Sequence, residues 1–167
     1  MDLILTARET LGSPRKYSTI EVWEEIEREF GISLPGDYKG FISAYGPGQI
    51  GRFLTLLHPG SGEDSLSYLH KALAPSYRAL FPQKIPYPIL PEKDGALLWG
   101  LTDEGDACFL IPINPNQWAV GIWFRQWAEW WESEDSFSDW MSGIISGHLE
   151  IDGFTLGRGG AIEFLAE

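Results

Sequence analysis

The side chains of this chain best equipped for chemistry are acids and tryptophans, and they gather in its second half. Asp103, Glu104 and Asp106 surround Gly105 between two apolar runs, and Trp127, Glu129, Trp130, Trp131, Glu132, Glu134 and Asp135 follow. Carboxylates beside large amphipathic rings suit a partner-binding surface, because charge steers a basic partner in and a few aromatic anchors hold it. On that reading Asp103, Glu104, Asp106, Trp127, Glu129, Trp131, Glu132, Glu134 and Asp135 form a face that imitates phosphate and plugs a basic cleft. The competing reading is a solvated rim of hairpin turns, with Asp106 serving its own turn through backbone hydrogen bonds. The tryptophans divide similarly. Trp23, Trp99, Trp118 and Trp140 lie on apolar faces and belong in the core. Trp127, Trp130 and Trp131 are interspersed with Glu129 and Glu132, so some of them reach the surface, as interface anchors or a sugar-stacking platform.

Catalytic patterns are weak by comparison. His58, His70 and His148 stand far apart, and none has the H-E-x-x-H spacing that places two metal ligands on one helix face. Cys108 lies between Ala107 and Phe109 in an apolar run, which suits a buried structural cysteine better than a nucleophile. Asp103 and Asp106 would be an acid–base pair only if they faced each other across a substrate. The segment from Gly46 to Gly51 lacks the Lys-Ser/Thr ending of a phosphate-cradling loop. The expectation is a protein without catalytic residues, metal or cofactor.

Charge sharpens the expected partner. The net charge is −12, and residues 91–140 carry ten acids against two bases, whereas residues 1–90 carry ten against nine. An acidity concentrated in this way argues against nucleic acid, which needs a basic footprint, and favours a basic protein. Acidic surfaces also aid solubility. The single cysteine excludes an intrachain disulfide and fits a reducing compartment. The first residues have no basic stretch ahead of an apolar one, and the longest apolar runs, such as Trp118 to Phe124, are far shorter than a membrane span. These features predict a cytoplasmic protein, and the 167 residues fit one domain.

The elements that would position the acids can be placed by periodicity. Trp23, Ile26 and Phe30 predict a helix from about Thr19, opened by a Ser18–Glu21 capping box and closed at Gly31. Tyr38, Phe41, Ile42 and Tyr45 predict a second helix after Pro35, stopped by Gly46-Pro47-Gly48. Leu3 to Thr6 reads as a short strand, and Gln49 to His58 as a longer one. Asp64 or Ser65 caps a helix through Leu66, Leu69 and Leu73 that Pro75 breaks. Pro82, Pro86, Pro88 and Pro91 mark an extended connector. Ala96 to Thr102 and Ala107 to Ile113 predict a hairpin, and a third strand starts at Trp118. Trp123, Trp127, Trp130 and Trp131 also fit helical spacing, so 125–132 is either a tryptophan-faced helix or a turn followed by a strand from Glu129. Phe137, Trp140, Met141, Ile144 and Ile145 predict a last helix, capped by Ser136 with Asp139 and ended at Gly147. The tail, with Gly157, Gly159 and Gly160, adds an edge strand or stays mobile.

The two early helices, joined by "FGISLPGDYKGFISAYG", resemble the opening of the SUKH superfamily, which includes yeast cell-wall regulators of the Smi/Knr type and many bacterial immunity proteins. Trp99-Gly100-Leu101-Thr102 with Gly105-Asp106 resembles that family's hairpin, Trp118 the start of its next strand, and Ser136-Phe137 its closing helix. The likeness spans about Ser18 to Leu149, with residues 1–17 as a lead-in and 150–167 as an extension. Residues 59–91, the Trp127–Trp131 segment and the tail are individual to this chain. The resemblance implies a single-domain α+β fold, with a mixed or antiparallel sheet of about five or six strands and packed helices. It favours the turn and strand over the helix at 125–132. It also implies a non-catalytic protein that binds another protein: a cognate toxin, often a nuclease, or an endogenous partner of a Smi/Knr-type adaptor.

Overall fold

The apolar runs of the second half become consecutive antiparallel strands: β3 (Leu97–Thr102), β4 (Ala107–Asn114), β5 (Gln117–Phe124) and β6 (Glu129–Ser133). Their side chains are buried almost without alternation through β3 and the start of β4 because the sheet is covered on both faces. The computed structural model describes residues 2–16, 18–157 and 162–167. Among these, the sheet gains β2 (Leu54–Leu56), β1 (Gly48–Ile50) and the tail strand β7 (Phe164–Ala166), in the order β6-β5-β4-β3-β2-β1-β7. Every pairing is antiparallel. The fold is α+β, with seven strands rather than five or six.

Among the described residues five helices flank the sheet: α1 (Leu3–Leu11), α2 (Ile20–Phe30), α3 (Gly36–Tyr45), α4 (Leu66–Arg78) and α5 (Phe137–Ser146). α1, α3 and α5 pack together. Trp99 of β3 meets this layer with ring centroids 5.2 Å from Phe137, 5.8 Å from Trp140 and 6.4 Å from Tyr38. On the opposite face, Tyr77 of α4 meets Phe109 of β4 edge-on at 5.1 Å. α2 bridges the layers, through Trp23 to Tyr38 at 5.6 Å and Phe30 to His70 at 5.0 Å.

Several expectations are corrected. Residues 3–6 are helix rather than strand: the Asp2 carboxylate accepts from the Ile4 and Leu5 amides at 3.0 and 3.1 Å, and Leu3 and Ala7, one turn apart, are buried. The run from Gln49 to His58 is broken into β1 and β2 at Gly51, which sits at φ 61. A Cβ there would lie 1.7 Å from the Leu156 carbonyl oxygen, so only glycine fits against the returning tail. Pro75 lies inside α4 instead of ending it. Its ring is exposed, and the buried stripe of Leu66, His70 and Ala74 holds the helix to the sheet despite one missing donor. α2 starts from Thr19, one residue beyond the expected Ser18 cap and without a side-chain cap bond. The connector before β3 is packed rather than simply extended, since Ile85, Ile89 and Leu90 are buried. Trp118 is half-buried, whereas Trp23, Trp99 and Trp140 are core. The turn-and-strand reading of 125–132 holds, and the tail supplies an edge strand. Gly159 and Gly160 lie outside the described residues.

His70 is the buried polar joint between α4 and the sheet. Its Nδ1 accepts from the Leu98 amide at 3.1 Å, which leaves Nε2–H to donate to the Leu90 carbonyl at 2.9 Å. That arrangement needs the neutral imidazole. Burial, opposed by the Leu90 bond and aided by Arg78, lowers its pKa below 6.5. The unfolded state then binds the proton first on acidification, so stability is full above the ordinary histidine range and falls as pH drops below it. His70→Gln should therefore show a flatter melting temperature than wild type between about pH 7 and 5. Trp99→Ala should lower unfolding free energy by about 3–5 kcal/mol, read from urea melts.

Candidate partner-binding surface

The acids singled out in the sequence occupy the hairpin turns at one end of the sheet and the outer strand beside them. Between β3 and β4 the chain reverses with Gly105 at φ 85, and the Gly105 amide donates to the Thr102 carbonyl at 3.0 Å. Asp106 closes this turn. Its amide donates to Thr102 Oγ1 at 3.0 Å, and its Oδ2 accepts from the same hydroxyl at 3.2 Å. Its Oδ1 accepts from the Arg125 amide at 2.9 Å, which stitches the β3–β4 turn to the β5–β6 turn. Asp106 is only 2% exposed, so its carboxylate works within the fold and has no surface to offer a partner. The Asp103 amide donates to the Phe53 carbonyl at 2.9 Å, tying the same end to the β1–β2 turn. Asp103 is exposed and Glu104 partly so.

Trp127 heads the neighbouring turn. It lies 5.1 Å from Phe124, and a Cβ on Gly153 would come within 2.1 Å of its ring, so the ring rests on bare backbone. It is still 49% exposed. Glu104, Asp106, Phe124, Gln126 and Trp127 line one small dent.

β6 distributes its residues by the two-residue period of a strand. Register places Glu129 opposite Phe124, Trp131 opposite Ile122 and Ser133 opposite Val120, on the α5 side of the sheet. Trp130 and Glu132 point to the α4 side, where Trp130 meets Phe109 at 5.8 Å and Tyr87 at 5.9 Å. Gly121 makes room, since a Cβ there would stand 2.2 Å from the Trp130 ring. Trp130 Nε1–H donates to Glu132 Oε2 at 2.6 Å, and the Tyr87 hydroxyl donates to Glu132 Oε1 at 3.2 Å. Burial, then the Glu132 charge, raises the Tyr87 pKa. Glu132 therefore stands fixed at the rim of the sheet. Trp130 and Trp131 are both half-buried against the core, and Glu129 is exposed.

Glu134 and Asp135 lie beyond the far end of β6. Asp135 Oδ2 accepts from Ser133 Oγ at 2.7 Å, and Glu134 borders a separate cleft with Asp37, Gln117 and Trp118. The structure thus divides the predicted site into a turn cluster, a strand edge and a loop, with Asp106 withdrawn inside. Along the sequence, from Gln126 to Gly157, there are seven acids and no lysine or arginine.

Periodicity did not mark Asp37. Its Oδ2 accepts from the Ser138 amide at 2.8 Å, so a residue of α3 satisfies the first turn of α5 from 101 positions away. A helix-start acid is the only sequence trace of that contact.

Other chemistry finds little footing. Cys108 is fully buried, and burial pushes its thiol pKa well up, which keeps it protonated and weakly nucleophilic. Among the described residues no group of three or more His, Cys, Asp or Glu side chains could hold a metal ion, and no helix is long and apolar enough to cross a membrane. A cleft of ≈ 960 Å³ between α2 and α4 is bordered by His58, Glu63 and Tyr68. Two of its other polar side chains, Ser67 and Lys71, are engaged by Glu29.

Asp106→Ala removes acceptors from two turns at once and should cost about 1.5–3 kcal/mol in urea unfolding. Glu129→Ala, on the exposed strand, should stay within about 0.5 kcal/mol of wild type.

Comparison with protein families matches residues 20–141 to the SMI1-KNR4 cell-wall family of SUKH domains. No curated protein and no solved structure gives a significant match. The matched span runs from the first residue of α2 into α5 and takes in the Trp99 hub and the Asp106 hairpin. By that match, over most of its length, the chain belongs to the SUKH superfamily.

Proposed function

We propose that this SUKH domain is a non-catalytic, acidic binding protein of the immunity type, which neutralises a basic cognate toxin by direct contact. The observation that carries the reading is the exposure of Trp127, Glu129, Glu132, Glu134 and Asp135, in a stretch of sequence with no lysine or arginine from Gln126 to Gly157. Trp127 supplies a half-exposed ring held in place by Phe124 and Gly153, the kind of rigid anchor that loses little entropy on binding. A basic cleft, such as one shaped for nucleic-acid phosphates, is the complementary surface. The acids raise the encounter rate and the aromatic anchor slows dissociation. A cytoplasmic location fits this role.

The deciding experiment is co-expression with the product of the adjacent gene. A stable complex together with rescued growth supports the immunity reading. Survival without the chain and no complex favours a Smi/Knr-type adaptor that binds one of the cell's own proteins. Within the immunity reading, reversing charge at Glu129, Glu132 and Glu134 together should slow association about 10- to 100-fold at low salt and flatten its dependence on salt, measured by stopped flow. Unchanged kinetics in a variant with a native melting curve would remove the acidic face from the interface.

A further inference from the structure

The geometry points to the outer edge of β6 as the place where a basic partner adds a strand to the sheet. This rests on the binding function just proposed and specifies how the contact is made.

β6 ends the sheet, and among the described residues nothing pairs with its outer side. A strand in that position presents alternate amides and carbonyls to solvent as a template for another chain. Folded proteins usually blunt such an edge with a bulge, a proline, charged side chains or a very short strand. Of these β6 has only charges, Glu129 and Glu132, which repel another acidic edge and admit a basic one. It runs for five residues without proline or lysine, and its pairing with β5 proceeds from Val120–Ser133 to Phe124–Glu129 with no register shift. The β3–β4 and β4–β5 ladders are each interrupted by one. The opposite edge differs: β7 has only three residues and itself covers β1.

Charge selects the occupant. Glu129 and Glu132 project from opposite faces of β6, and Glu134 and Asp135 continue the line past its end. Two copies paired edge to edge would bring eight carboxylates together with no cation among those residues. An incoming strand with lysine or arginine at two positions three residues apart would instead place cations opposite Glu129 on one face and Glu132 on the other, the favourable cross-strand arrangement. Glu132 is held for this by Tyr87 and Trp130. Main-chain bonds supply affinity and the side-chain rungs supply selectivity, as in other strand-addition complexes. The occupant is an extended, basic segment of a protein.

The test uses the full chain and a synthetic peptide of threonine with lysines three residues apart, long enough to span Glu129–Ser133, with two controls: the same peptide N-methylated on alternate residues, and a version with glutamate in place of lysine. Binding is measured at low salt by calorimetry, and β6 amide exchange by NMR. The expected result is protection of alternate β6 amides, at least about tenfold weaker binding of the N-methylated peptide, and none of the glutamate version. Equal binding of the N-methylated peptide would reduce the contact to charge alone and overturn strand addition, as would no binding or unprotected β6 amides. Concentration-dependent protection of β6 in the chain alone would make a second copy the occupant, which also overturns the proposal. The Glu129→Lys and Glu134→Lys double variant, which spares the held Glu132, should lose peptide binding while keeping the native melting curve. A toxin complex in which the β6 amides still exchange freely would sink the edge and leave the immunity reading standing. A missing toxin complex would sink that reading, while the peptide titration still decides the edge.

Discussion

The Trp99 ring is the point at which the sheet and the layer of α3 and α5 become one. It is fully buried, with Phe137 and Trp140 of α5 and Tyr38 of α3 around it in edge-to-face contact. Such pairs align the positive edge of one ring with the negative face of the next, and they bury more area than any aliphatic set of equal count. Trp99 reaches this position at an irregularity: the β3–β4 register shifts between Leu98 and Gly100. A bulge bends the strand and re-aims a side chain. Gly100, whose Cβ would come 3.1 Å from Leu54, keeps the next rung narrow. α3 and α5 are oriented by this hub, and Asp37 then fixes their relative register by bonding the Ser138 amide.

The rim of the sheet is built differently from its centre. At the centre, apolar burial holds the strands, and His70 serves the backbone polar groups of β3 and of the connector before it. At the turn end, a single carboxylate takes the structural part: Asp106 accepts from Thr102 on its own hairpin and from Arg125 on the next. A buried acid satisfied in this way is rigid, and it sets the two turns side by side. The exposed carboxylates of Asp103 and Glu129 are thus displayed from a frame whose turn-end hydrogen bonds are made by Asp106. That separation lets the outer surface vary while the fold stays the same.

Much of this fold is legible in the chain itself. α3 and α5, and α2 apart from its cap, follow from aromatic residues at helical spacing, because a helix that buries one stripe must repeat it every three to four residues. The β3–β4 hairpin follows from two apolar runs around an acidic glycine turn. α1 was hidden because four residues, Leu3 to Thr6, are too few to separate helix from strand by period, and what decides is the buried pairing of Leu3 with Ala7 against α5. Gly51 looked like an ordinary strand glycine, and only the approach of Leu156 from the distant tail makes it a turn. Pro75 survives inside α4 because that helix is held by its buried face rather than by its backbone bonds alone.

The candidate surface divides along the same line. Composition alone determined that the second half would be acidic and rich in tryptophan, since charge and residue type do not depend on the fold. Residue spacing left 125–132 as either a tryptophan-faced helix or a turn followed by a strand from Glu129. Which acids face outward was decided by tertiary structure. The one-residue step of a strand sends Glu129 and Trp131 to one face and Trp130 and Glu132 to the other, and the position of β6 as the last strand is set by the order of the whole sheet. Asp106, identical in type to Asp103 and three residues away, was drawn inside because two turns distant in sequence meet there and their backbone amide and hydroxyl need an acceptor.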